Sequence, residues 1–252
     1  MLRYALVRTP APTLARGITS AALGTPDVAL CLQQHDAYVA ALGDLGLQVT
    51  VLDADRAFPD GHFVEDPAVV TPELAIITRP GASARRGEAA ALEPLLNEHR
   101  PLRRIAAPGT VDGGDVLILG KRCFVGLSQR TNQSGGEQLE AVLRPFGYTT
   151  VAVAVSAGLH LKSGVNAIGA EKLLVNASLA EHPALDGLDK LVVPGSEAYA
   201  ANTLWINDTL LMPAGFPHTA EMLRSGGYPV IELEVSEMRK MDGGLTCLSL
   251  RF

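Results

Sequence analysis

The feature that most constrains how this chain can fold is a recurrence. Polar or glycine-bearing segments stand just ahead of short apolar runs: FVEDPAVV from Phe63, VDGGDVLIL from Val111, HLKSGVNAI from His160, YAANTLWIN from Tyr199 and MDGGLTCLSL from Met241. Their centres fall about 40–50 residues apart, a spacing typical of repeated supersecondary units. The second and fifth share Asp-Gly-Gly. Five units of strands plus one helix would set five polar turns around a common axis. Any alternating α/β chain also has polar turns at similar intervals, so the pattern alone leaves both arrangements open.

The intervening sequence alternates strand and helix patterns without a long linker, and 1–252 is expected to form a single domain. Leu2–Val7 reads as a strand. Pro26 to Leu45 reads as an amphipathic helix, with Val28, Leu32, Val39 and Leu42 at helical spacing and Gly46 closing it. Further strands are expected at Gln48–Leu52, Leu74–Thr78, Val116–Leu119, Cys123–Leu127, Thr150–Val155, Leu173–Val175 and Leu191–Val193. Others are expected at Leu204–Ile206, Leu210–Met212, Val230–Leu233 and Leu245–Leu250. Helices fit Gly87–His99, Ser134–Phe146 and Pro217–Ser225, and the pairs Lys121–Arg122 and Asn207–Asp208 read as hairpin turns.

Composition narrows the function classes. Apolar residues make up 47% of the chain and charged residues 19%, as in ordinary globular proteins. No apolar run approaches the roughly 20 residues that cross a bilayer. Arg3 and Arg8 break the N-terminal apolar stretch, which argues against a signal peptide and makes a cytoplasmic location the default expectation. A net charge of −6 offers no general basic field for nucleic acid. The three cysteines, Cys31, Cys123 and Cys247, are far apart and lack CxxC spacing, which argues against a disulfide framework and a structural zinc site.

Cys247 is set just inside a C-terminal strand after a glycine turn. It reads either as an ordinary buried cysteine or, with a partner histidine and a substrate site, as a nucleophile. Among six histidines, His35 and His99 fit surface positions on helices, and His182 and His218 each adjoin a proline. His160 differs because it stands at one of the recurring turns. Glu65 and Asp66 are adjacent, while Asp112 and Asp115 flank a glycine pair. Such carboxylates serve as acid and base, hold a hard cation, grip a guanidinium, or simply form solvated turns. Arg85 reads locally as half of an exposed basic pair, and Arg130 as a surface residue before a helix that Thr131 would cap. Neither GxGxxG nor GxxxxGK[ST] occurs.

Taken together, the motifs resemble the dimethylarginine dimethylaminohydrolase family, within the guanidine-modifying superfamily that includes arginine deiminase and the amidinotransferases. The matching segments are RTPA at Arg8, FVEDP at Phe63, AIITRPGA at Ala75 and GTVDGGDV at Gly109. FVGLSQRTNQ at Phe124, HLKSG at His160, YAANTLWIND at Tyr199, MPAGFP at Met212 and RKMDGGLTCLSLRF at Arg239 continue the match in family order.

The resemblance implies an α/β fold: a five-bladed α/β propeller (pentein) of ββαβ repeats with pseudo-fivefold symmetry, its active site in the central channel. It implies hydrolysis of Nω-methylated arginine to citrulline with no metal or organic cofactor. Cys247 resembles the family nucleophile and His160 the general acid/base. Asp66 and Asp112 resemble the carboxylates that hold the guanidinium nitrogens. Asp60 and Glu65 resemble further substrate-contacting acids, and Arg85 and Arg130 the residues that take the substrate α-carboxylate. Ile18 stands at the lid position, where relatives often carry leucine, and Met241 at a position of backbone contact. Some relatives have glutamate where this chain has Asp112. The expected partner is a small-molecule substrate, with no nucleic acid and no membrane, and a homodimer is left open. Arginine or agmatine deiminase is the nearest alternative activity. A propeller acting only as a binding module, like the ribosome-associated initiation factor of similar fold, is a third reading.

Overall fold

The computed structural model describes residues 1–156 and 158–252. Strands β1 (Tyr4–Arg8) and β2 (Gln48–Leu52) flank helix α1 (Val28–Asp44). The chain continues through β3 (Ala68–Val70), β4 (Ala75–Ile77), α2 (Glu93–His99) and β5 (Leu102–Arg104). Next come β6 (Val116–Leu119), β7 (Arg122–Leu127), α3 (Gln133–Leu143) and β8 (Thr149–Ala154). It then forms β9 (Val165–Ala167), β10 (Lys172–Val175), α4 (Ala177–Ala180) and β11 (Asp189–Val192). Strands β12 (Leu204–Ile206) and β13 (Thr209–Pro213), helix α5 (Pro217–Ser225) and strands β14 (Val230–Leu233) and β15 (Leu250–Arg251) follow.

These strands make five three-stranded sheets: β3-β4-β5, β6-β7-β8, β9-β10-β11, β12-β13-β14 and β15-β1-β2. In each, the first strand named pairs antiparallel with the middle one, and the middle strand pairs parallel with the third. A helix makes each parallel crossover, as such connections require. The architecture is the α/β propeller of ββαβ units. Its fifth sheet joins the two ends of the chain, with Ala5 opposite Arg251 and Leu6 opposite Leu250.

Strand alternation explains why five small sheets suffice. Side chains on a strand point alternately to its two faces. Leu173 and Val175 pack with Leu117 and Phe124 of the preceding sheet, while Leu174 between them packs with Leu210 and Met212 of the following one. Ala5 and Val7 share a cluster with Leu211, whereas Leu6 meets Ala75 and Ile77. The apolar core is therefore five clusters, each wedged between neighbouring sheets. Cys31 and Cys123 are fully buried in two of them.

Several local expectations change. The apolar run Leu245–Leu250 is not one strand: Leu245–Leu248 turns as a 3-10 helix, and only Leu250–Arg251 pairs. Gly87–His99 divides into a 3-10 turn and a short α-helix that carries Pro94 in its first turn. The helix after Arg130 is capped by Asn132, whose side chain accepts the Gly135 N–H, and not by Thr131. His35, expected at the surface, is on the buried face of α1. The Asn207–Asp208 hairpin has both residues at positive φ, 44° and 71°, as a tight turn with right-handed twist demands.

Candidate active site

The five polar turns are stitched to one another in a ring of hydrogen bonds. Gly113 N–H donates to the Asp66 carbonyl (2.9 Å), and Leu161 N–H to Asp115 Oδ1 (2.9 Å). Asn202 Nδ2 donates to the Lys162 carbonyl (3.0 Å), Thr246 N–H to Asn202 Oδ1 (3.1 Å), and Glu65 N–H to the Cys247 carbonyl (3.2 Å). The ring runs from first turn to fifth and back. Close approach explains the two Asp-Gly-Gly triplets. A Cβ at Gly113 would lie 2.1 Å from the Glu65 carbonyl oxygen, and one at Gly244 would lie 2.4 Å from Asn202 Oδ1.

On one side of this ring lies a narrow cleft. Of the ten residues singled out from the sequence, eight line it: Cys247, His160, Asp66, Asp60, Arg85, Arg130, Ile18 and Met241. Glu65 and Asp112 do not. The cavity is about 20 Å³, room for roughly one water molecule.

Asp112 is fully buried behind the histidine. One oxygen stands 3.0 Å from His160 Nε2, and the other accepts the Gly81 N–H at 2.9 Å. It is spent on the imidazole and the backbone, which corrects the expectation that it grips a guanidinium. Glu65 lines a separate cavity of about 260 Å³, where Lys162 Nζ (2.7 Å) and Arg251 Nη2 (3.1 Å) pair with its Oε1, while its Oε2 is buried without a hydrogen-bond partner among the described residues.

Asp66 occupies the wall of the cleft. Its Oδ2 pairs with Arg85 Nη1 at 2.5 Å, its Oδ1 accepts the Gly114 N–H at 3.0 Å, and His160 Nδ1 stands 3.9 Å away. Burial alone would raise its pKa, but His160, Arg85 and that N–H together hold it down at about 2. Arg85 is buried and doubly paired, since Glu88 takes its Nε (2.9 Å) and Nη2 (2.7 Å) while Asp66 takes Nη1. It is neither an exposed basic residue nor a free one. Arg130, in contrast, is half-buried in the cleft wall, and its guanidinium has no ion-pair partner among the described residues. Asp60 accepts the Ile18 N–H through both oxygens, at 3.2 and 3.1 Å.

The electrostatics of the central pair are unusual for a cysteine and a histidine. Removal from water pushes the half-buried Cys247 thiol up to about 12, and the charges of Glu65 and Asp66 add to the rise. Burial would lower His160, but Asp66, the hydrogen bond to Asp112 and the charge of Asp115 raise it to about 9. At neutral pH the cleft is therefore lined by a neutral thiol and an imidazolium.

Donor atoms of Asp66, Asp112 and His160 also lie within 4.8 Å of one another, a spacing that suits a metal ion. Arg85 already presents a positive charge to Asp66 within that group. Glu88, Asn202 and Lys162 shape the site without having been singled out from the sequence, and Asp115, noted there beside Asp112, accepts the Leu161 N–H. Only Glu88, three residues after Arg85, carried a local signal for its contact.

Residues 26–183 match the family model described as "N,N dimethylarginine dimethylhydrolase, eukaryotic". The chain is 42% identical to N(G),N(G)-dimethylarginine dimethylaminohydrolase of Pseudomonas aeruginosa, with 100% of each chain covered. A solved structure of the enzyme from that organism, a cysteine-to-serine mutant complexed with citrulline, superposes with a TM-score of 0.98 at 42% identity over 100% of both chains. A dimethylarginine dimethylaminohydrolase with a histidine-to-glycine change, as the adduct with S-methyl-L-thiocitrulline, matches at 0.97, again with 42% identity and full coverage of both chains. Likeness of this degree, spread over the whole propeller, is far beyond what a shared architecture alone produces, and this chain belongs to the dimethylarginine dimethylaminohydrolase family.

Proposed function

We propose that this chain hydrolyses Nω-methylated L-arginine, both asymmetric dimethylarginine and monomethylarginine, to L-citrulline and dimethylamine or methylamine. The observation that carries the reading is the meeting of Cys247, His160 and Asp66 in one cleft whose wall also holds Arg130, which has no ion-pair partner among the described residues. Arg130 is the cation for the substrate α-carboxylate, and Asp66 the carboxylate for the guanidinium nitrogens.

A guanidinium carbon is a weak electrophile because its charge is spread over three nitrogens. Asp66 keeps it protonated and oriented. The bound cation offsets the negative charges that hold the Cys247 proton, so the thiol loses that proton to solvent when substrate is in place. The thiolate adds to the guanidinium carbon. His160, charged at neutral pH, gives its proton to the departing dimethylamine nitrogen, and the C–N bond breaks to leave a covalent thiouronium. Now neutral, His160 takes a proton from water as the water oxygen attacks the same carbon. The C–S bond breaks with its electron pair going to sulfur, the hydroxyl proton passes to that thiolate to restore the thiol, and citrulline leaves. Asp112 works through His160, holding Nε2 so that Nδ1 faces the cleft.

A citrulline assay with dimethylarginine, monomethylarginine, arginine and agmatine tests the reading. The methylated arginines are expected to be turned over at least about 100-fold more efficiently than arginine, a difference of about 3 kcal/mol in the barrier. Preference for arginine or agmatine would make the chain a deiminase instead.

A further inference from the structure

We propose that Asp242 is the latch that holds the segment 17–25 closed over the cleft, making it a positioning residue for substrate entry; this rests on the reading of the cleft as the substrate site. The cleft of about 20 Å³ shares Leu159, Asp242, Gly243 and Cys247 with a neighbouring cavity of about 260 Å³ that Ala21 and Leu23 also line, so the segment walls both spaces around Cys247. Ile18 supplies part of that wall, yet its segment is neither helix nor strand through residues 17–25. Among the described residues, 18–26 make no backbone–backbone hydrogen bond. Ile18 and Leu23 are 42% and 50% exposed, so little apolar burial fixes the segment.

Contacts from elsewhere in the chain hold it instead. Asp60 takes the Ile18 N–H, and the Lys240 carbonyl takes Thr19 Oγ (2.8 Å). Asp242 Oδ2 accepts both the Ser20 N–H (2.5 Å) and Ser20 Oγ (3.0 Å). Asp60 holds the segment at its start, on the Ile18 N–H, which leaves Asp242 as the acidic side chain that holds it further along, at Ser20.

The backbone of Asp242 supports a functional reason for the side chain. Its φ is +59°, a left-handed conformation that glycine adopts freely and other residues adopt at a cost. Two glycines follow it, yet the strained position carries a carboxylate. Asp242 also lines the cleft five residues ahead of Cys247, and Tyr199 OH donates to the adjoining Gly243 carbonyl at 2.7 Å. One rigid turn thus bears both the nucleophile and the catch for the lid.

Asp242→Gly removes the acceptor while suiting the backbone, so loss of folding does not obscure the result. Hydrogen exchange at the Ile18 and Ser20 amides is expected to speed up by about 3- to 30-fold in the free protein, the worth of hydrogen bonds to a charged but exposed acceptor. The KM for dimethylarginine should rise in step, with kcat changed by less than about threefold, because bound substrate helps to close the lid. Asp242→Asn, which keeps a neutral acceptor, should fall between parent and glycine variant in exchange. Unchanged exchange in Asp242→Gly overturns the proposal, as does faster exchange with KM unmoved. Exchange is read without substrate, so it decides the latch even if dimethylarginine is not turned over, an outcome that would count against the functional reading alone.

Discussion

His160 is held from behind by Asp112, with Nε2 3.0 Å from Oδ2, while Nδ1 faces Asp66 across 3.9 Å. The two carboxylates have separate duties. One is closed off from the cleft and fixes the ring, and the other forms the wall where a cation would bind. Asp112→Asn should therefore lower kcat by about 10²- to 10³-fold through loss of the charged support, while KM moves by less than about threefold. A large rise in KM with little loss of kcat would place Asp112 on the substrate instead.

The raised pKa of His160 ties stability to pH. Three carboxylates hold its proton more tightly in the fold, against the opposing effect of burial, moving it from 6.5 to about 9. The stabilisation is complete below pH 6.5 and is lost as pH climbs through about 9, a change of at most about 3 kcal/mol. Denaturant unfolding of the parent should show falling stability across that window, and His160→Gln should remove the slope. Above pH 9 the Cys247 thiol, raised from 9.0 to about 12, adds a further alkaline loss.

Arg85 and Arg130 should separate cleanly. Arg130→Ala is expected to cut kcat/KM for dimethylarginine by about 10²-fold, the loss of one charge-assisted contact, with unfolding stability unchanged within about 0.5 kcal/mol. Arg85→Ala leaves Asp66 and Glu88 buried without their cation and should cost about 3–5 kcal/mol of stability. Equal stability of the two variants would show that the Asp66–Arg85–Glu88 group is not the structural unit described.

The recurrence of five polar turns was legible in the chain because it is carried by groups with strict requirements, glycines where backbones meet and apolar runs that alternate into neighbouring clusters, while the propeller itself was implied by the family resemblance. The strands β3, β5 and β9 are harder to see. Each has three residues, and the sequences LRR and VNA of the last two lack the apolar runs that mark the equally short β4 and β12. The site was legible as a set of residues but less so as a set of roles. Arg85 reads as exposed because Asp66 is 19 positions away and meets it only in the fold. Asp112 and Asp66 look equivalent until His160 is seen to stand between them. Cys247 reads as a strand residue because its neighbours are apolar, whereas the bond from Thr246 N–H to Asn202 holds it in a turn.

In the proposed mechanism Cys247, whose thiol is pushed up to about 12 by burial, becomes a nucleophile when a cation lies beside it. The direct measurement is the pH dependence of its alkylation by neutral iodoacetamide and by cationic chloroacetamidine, with mass spectrometry to locate the adduct. Cys31 and Cys123 are buried, with thiols pushed up to about 12, and should stay silent. Iodoacetamide should react ever faster as pH rises to about 10, whereas chloroacetamidine should level off at least about two pH units earlier than the thiol's own titration. If both reagents levelled off together below about pH 8, the thiolate would already be present in the free protein, and activation by the bound cation would be wrong.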